Sequence, residues 1–358
     1  SDELVLWFVL STCEMSLHET FSDRVPAPER LELKQALTAM LHGPASSQLP
    51  ASARSKAIVV LAQLARAAWP TEEPALLHEI LTLLNEPGRS RALGARLLSA
   101  IAEEFAASDS RRPAGGRAVG TSGQQQQAQR QVALVAFLPH AYRALARALL
   151  AEAEAVRAAT AATDDADAAG LCLDACQRLI GFGRMRSGAE SATRTFTPDE
   201  RAELPVLLSA VCAHLFPSGG RHRPAVAALG VIAELLELQD PGLSALVPPL
   251  VEPLVGLVQR LASEAAASTG PPQPRGPFGL DEDSLDELEN ALCFALNIVC
   301  HARLLRIAPD AAAPLLTALW AHSRHASAAQ LQRFVRICNT LLEAAESLGV
   351  LAGGSAGA

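Results

Sequence analysis

Apolar residues recur at helical spacing through most of this 358-residue chain, and that periodicity limits the folds open to it. In the stretch 50–69, Ile58, Leu61, Ala62, Ala65 and Trp69 share a face, with Lys56, Gln63 and Arg66 turned away. The stripe is Leu76, Leu77, Ile80, Leu81 and Leu84 in 72–85, and Leu93, Leu97, Ile101 and Phe105 in 89–107. Near the end it is Leu331, Phe334, Val335, Cys338, Leu341, Leu342 and Ala345. A broad apolar stripe must be covered by a neighbour, so no helix here stands alone. Composition agrees. The chain has 69 Ala and 56 Leu, and aromatics make up only 4%, which disfavours a β fold. With 49% apolar and 19% charged residues it can fill a core.

Proline and glycine punctuate the pattern. Pro26 and Pro28 open a helix that ends near Gly43, Pro50 opens the next, and Trp69-Pro70 ends it. Pro87-Gly88 closes the one after. Helix starts near 2, 50 and 89 repeat after 48 and 39 residues. That brackets the roughly 40–47-residue period of two-helix HEAT-type repeats. Further helices are predicted near 130–157, 168–182, 198–215, 222–238, 243–266, 284–307, 311–323 and 327–348, with a soft Ala/Asp/Thr stretch at 158–169. The expected fold is all-α, an α-solenoid (superhelix) of HEAT-type antiparallel helix pairs, armadillo-like. Repeats occupy 1–107, 129–267 and 284–350. Between them lie a low-complexity linker at 108–128, with its Gln124–Gln127 run, and a Pro/acidic linker at 268–283. The tail 351–358 is expected to be disordered.

Several functions are disfavoured. The net charge is −8, and Lys34 and Lys56 are the only lysines among 30 basic residues. Without a basic stripe and with few aromatics, nucleic-acid binding is not expected. The longest apolar stretch, 241–258, is broken by Pro248, Pro249, Glu252 and Pro253, so no membrane insertion is expected. Seven scattered cysteines read as buried thiols in a reduced compartment; neither Cys172-x3-Cys176 nor Cys293-x6-Cys300-His301 has zinc-site spacing. Gly353-Gly354-Ser355-Ala356-Gly357 fits a nucleophile-elbow string by chance in a terminal tail. Gly181-Phe182-Gly183 ends a helix where a dinucleotide loop would follow a strand. His78-Glu79 lacks the second histidine of a zinc-protease helix, and the remaining histidines read as packing or loop residues. The acidic group Asp281, Glu282, Asp283, Asp286, Glu287 and Glu289 reads as helix N-terminal capping. No catalytic residue, metal or cofactor is expected.

The first 107 residues carry a resemblance. Val9-Leu10-Ser11-Thr12-Cys13-Glu14, Glu29-Arg30-Leu31-Glu32-Leu33, Leu49-Pro50 with Arg54 and Lys56, and Arg66-Ala67-Ala68-Trp69-Pro70 follow one another as successive helix motifs. Ile101-Ala102-Glu103-Glu104-Phe105 ends the next helix. Together they resemble the exportin-1/importin-β-like region of karyopherin-β nuclear transport receptors, most nearly the exportin branch that carries actin–profilin. Leu171–Leu179 resembles that branch's following repeat more weakly. Ser55, Ala65 and Ala68 stand where the family usually has Asn, Gly and Asp.

The resemblance implies a monomeric receptor, shuttling between nucleus and cytoplasm past nuclear pore proteins, that binds Ran-GTP and protein cargo together. It places Trp69 as a plug between consecutive repeats. It also places Ran on the second helices of the early repeats, where Glu29, Glu32, Glu72, Glu73 and Glu79 supply the charge to attract a basic patch. Glu29, Glu72 and Glu73 also suit first helical turns, where a carboxylate offsets the dipole without a partner. Two alternatives remain open: a HEAT scaffold without Ran dependence, and an import receptor of the same superfamily. Residues 4–10 are seven successive apolar residues behind Ser1-Asp2-Glu3, with no signal-peptide features and no initiator Met. One helix face cannot bury all seven, so a preceding repeat is expected to cover part of this helix.

Overall fold

The structure is a computed structural model. It describes residues 2–17, 25–43, 46, 48–110, 121–158, 167–182, 196–217, 221–238, 241–267, 277–300, 312–324, 331–332 and 334–339. These residues are overwhelmingly helical: α1 (Asp2–Leu17), α2 (Ala27–His42), α3 (Ala51–Ala68), α4 (Leu76–Asn85), α5 (Arg89–Ser110), α6 (Thr121–Arg157), α7 (Ala168–Gly181), α8 (Pro198–Cys212), α9 (Arg223–Glu237), α10 (Val247–Ala267), α11 (Glu282–Cys300) and α12 (Ala312–Ser323). Two compact units are formed, one from Ser1–Ala148 and Ala162–Gly188, the other from Leu149–Ala161 and Ala189–Ala358. One break between the units, after Ala148, falls inside α6.

In the first unit α1, α3, α5 and α7 make a row, each packed on the next-but-one helix of the chain, while α2 packs on α3 and α4 on α5. Side-chain partners advance together along neighbouring helices of the row. Glu3 meets Ser52 and Trp7 meets Lys56 between α1 and α3, and Arg66 meets Glu104 between α3 and α5. Trp69 is buried after the end of α3, edge-on to Phe105 of α5 at 5.9 Å, as a plug between successive pairs would be. In the second unit α9 packs on α11 and α10 on α12, and α8 packs on α9 and α10. Successive packing of this kind is what a helical solenoid shows.

Local chemistry sets the helix limits. Pro26 and Pro50 precede α2 and α3 with extended backbone, and Gly43 stops α2. Thr197 and Glu200 form a capping box at the start of α8, each side chain hydrogen-bonding the other's backbone N–H. Asp167 accepts from the Gly170 N–H at α7, and Asp281 from the Ser284 N–H at α11. Gly88 takes φ +72 in the turn before α5, a conformation that suits glycine.

Four expectations change. Gln63 and Arg66, expected on a polar face, are both buried, because α3 is flanked by α1, α2 and α5 at once. Of the linker expected at 108–128, residues 108–110 and 121–128 are helical, and 111–120 lie outside the described residues. Helix α5 runs to Ser110, and α6 begins at Thr121 and takes in the glutamine run, glutamine being a good helix former. The segment 268–283 is not wholly unpacked: Leu280 is buried, the Phe278 N–H donates to Glu264, and the Arg260 guanidinium lies 5.2 Å from the centre of the Phe278 ring. Finally, residues 129–157 of α6 are long and apolar enough to cross a membrane by length and composition; 56% of their most apolar 18-residue stretch is buried in the fold, as in a core helix. Residues 268–276, His301, His325 and the tail 340–358 lie outside the described residues.

Helix α1 buries Leu10 and Leu17 but exposes Leu4, Val5, Trp7, Phe8, Val9 and Met15. The apolar run therefore exceeds what the described residues cover.

Helices α4 and α5 approach closely at Gly94, where a Cβ would lie 2.9 Å from the Leu83 Cβ and 3.2 Å from the Ile80 carbonyl oxygen. An alanine gains about 1 kcal/mol in helix propensity. Overpacking against a fixed backbone costs about 1–3 kcal/mol and outweighs it. Gly94→Ala is accordingly expected to lower the urea midpoint of unfolding.

Candidate functional site

Three of the five carboxylates singled out in the sequence meet two cations of α2. Arg30 Nη2 donates to both oxygens of Glu72, at 2.6 and 2.7 Å. Lys34 Nζ is shared between Glu73 and Glu79, the latter at 3.2 Å. Arg30 and Lys34 are one turn apart on α2, so both point toward α4 and the turn that leads into it. Glu29 and Glu32 are exposed on α2 and have no ion pair with another described residue. The five acids therefore divide into two free carboxylates and three that clasp α2 to the α4 region. The clasp is partly wet: the side chains of Glu72 and Glu79 are 41% and 59% exposed, against 19% for Glu73.

Sequence reasoning overlooked Arg30 and Lys34 as partners. The signal was a pair of cations four residues apart on α2, set against Glu72-Glu73 and Glu79. Burial alone would lower the Lys34 ammonium pKa, but hydrogen bonds to Glu73 and Glu79, with their charges, outweigh it and raise the value. The raised group adds stability that is full below the ordinary lysine pKa and is lost as pH climbs through the folded one.

Beneath the clasp lies a cleft of about 180 Å³. Leu61, Leu64, Ala65 and Ala68 of α3 and Leu97 and Ile101 of α5 supply apolar lining. Leu76, Ile80 and Leu83 of α4 supply the rest, and Arg30, Lys34, Glu73 and Glu79 stand among its charged lining. The floor comes from the same apolar stripes that build the row of helices. The α2–α4 separation leaves that floor partly uncovered.

The other chemistry-bearing residues settle into packing. Burial pushes the Cys212 thiol up to about 11 and raises Cys13 and Cys338. Cys176 is raised well above the usual thiol value by burial, with Cys172 adding to it. Such thiols are poor nucleophiles at neutral pH. His214 Nε2 lies 2.8 Å from the Leu149 carbonyl oxygen, and His322 Nε2 lies 3.2 Å from Glu289 in the core of the second unit. His222 Nε2 lies 2.8 Å from Glu287. His78 is edge-on to Phe137 and 6.1 Å from the His140 ring. Among the described residues no group of three or more His, Cys, Asp or Glu converges on a metal position. Set beside family models, curated proteins and solved structures, the chain matches none.

Lys34→Met leaves Glu73 and Glu79 without their shared cation. It is expected to lower the unfolding free energy by about 1 kcal/mol at neutral pH. The wild type and the variant should converge as pH rises past the ordinary lysine range, which urea titrations across pH would show.

Proposed function

We propose that this chain acts in nuclear export as a karyopherin-β-type receptor of HEAT-type repeats, binding Ran-GTP and protein cargo together. Actin–profilin is the cargo the motif resemblance favours. Two lines support the reading: the motif residues of 9–14, 29–33, 49–56 and 66–70, and the successive packing of helices in the first unit. The observation that carries it is the placement of the acids. Glu29 and Glu32 are exposed on α2, and Glu72 and Glu79 are partly exposed beside that helix. With Glu73 they make five carboxylates against two cations, a surplus suited to steering a basic patch. On this reading GTP hydrolysis is Ran's chemistry, and this chain serves as a shaped surface for binding.

The pairing of Glu72, Glu73 and Glu79 with Arg30 and Lys34 favours a second reading. In it these acids only hold helices together, and the chain is a HEAT scaffold without Ran dependence. Charge reversal separates the two. Glu32→Lys touches no ion pair and sits away from the helix start. It is expected to weaken capture of Ran locked in its GTP state by about tenfold at low salt and to flatten the salt dependence, with helicity unchanged. Glu79→Lys should do the same and also cost some stability. Capture by the wild type that Glu32→Lys leaves unaltered would give these acids to the scaffold reading.

A further inference from the structure

The cleft between α2 and α4 is open where a packed helical array would ordinarily be closed. We propose that it is an anchor pocket for one bulky apolar side chain, of leucine or phenylalanine size, from a protein segment whose flanking residues are basic. Size sets the first half of this specification. The cleft holds about 180 Å³. An apolar cavity of about 150 Å³ stays dry and takes up benzene, so the space suits one large side chain. Its floor has no charge, with Leu61, Leu64, Leu76, Ile80, Leu97 and Ile101 surrounding the space. A polar group entering it would lose water without gaining a partner there.

Charge sets the second half. Lys34 serves two carboxylates at once, and Glu79, the more distant at 3.2 Å, is also the most exposed of the three paired acids. Glu79 thus has capacity for a second cation. Glu29 and Glu32 add two unpaired carboxylates on α2. A segment with acidic flanks would confront this surplus, and one with basic flanks would complete it. An apolar anchor filling a pocket ringed by polar groups is the arrangement that concentrates binding energy at interfaces. The proposal rests on α2 and α4 being a docking face, as the export reading has them, but not on which protein docks.

The test uses the full chain with isoleucine methyl groups labelled for NMR. Three capped pentapeptides are the probes: Arg-Arg-Leu-Arg-Arg, its Ser-centred counterpart, and Glu-Glu-Leu-Glu-Glu. The arginine–leucine peptide is expected to shift the Ile80 and Ile101 methyl signals saturably. The other two should bind about tenfold more weakly, or not at all. Ala65→Leu fills the cleft from its floor, and Thr38→Trp covers it from an exposed position on α2. Either should abolish the shifts. If Ala65→Leu disturbs the fold, seen as lost helicity, Thr38→Trp decides alone. No shift with the arginine–leucine peptide, equal shifts with the serine peptide, or equal affinity for the acidic one would each overturn the pocket. Ran-GTP capture is measured on the same protein. Capture without peptide shifts removes the pocket and leaves the export reading standing, while peptide shifts without capture do the reverse.

Discussion

Helix α3 is buried almost all round, and the first unit depends on that burial. Ala53, Ala57, Val60, Ala62, Leu64 and Ala65 are at most 3% exposed, and α1, α2 and α5 all lie against the helix. Its small residues let several neighbours come close, and its leucines fill what remains. Removing a buried leucine of this kind costs about 2–5 kcal/mol. The rest of the unit extends the scheme: α5 packs on α3 as α3 packs on α1, and α7 on α5. Each helix covers one side of its predecessor and needs its successor for the other. Arrays built this way gain stability mainly from nearest-neighbour interfaces.

Beside this continuous row, α2 and α4 meet each other through charge, and that leaves room for function. Two cations and three carboxylates bridge them. Partly exposed ion pairs contribute little net stability, so a partner can replace one at low cost. The same residues can thus set the spacing of two helices and present a charged rim.

Much of this architecture was legible in the sequence because its signals are local. Proline before a helix and glycine after it act within one turn, and the limits of α2 and α3 fall where Pro26, Gly43 and Pro50 put them. Apolar spacing gave the class of fold and the stripe of α4, whose five expected residues are all buried. Features that depend on several neighbours were hidden. Gln63 and Arg66 look solvent-facing along one helix and become buried only when three others surround it. The glutamine run in the first turns of α6 looks like a linker by composition, although glutamine propagates a helix once one has started. The candidate site was half visible. Its carboxylates stood out by charge, but the pairing of residues 34 and 79 spans 45 positions and requires the fold to be known.

The central claim is that α3 is the most protected element of the first unit, with protection falling toward helices covered on one side only. Hydrogen exchange of the full chain, read by mass spectrometry under native conditions, measures this directly. The expected result is that the amides of 55–66 exchange slowest in the unit, by opening close to global unfolding. Those of 4–9 in α1 should exchange about a hundredfold faster or more. Exchange in 55–66 as fast as in 4–9 would contradict the account.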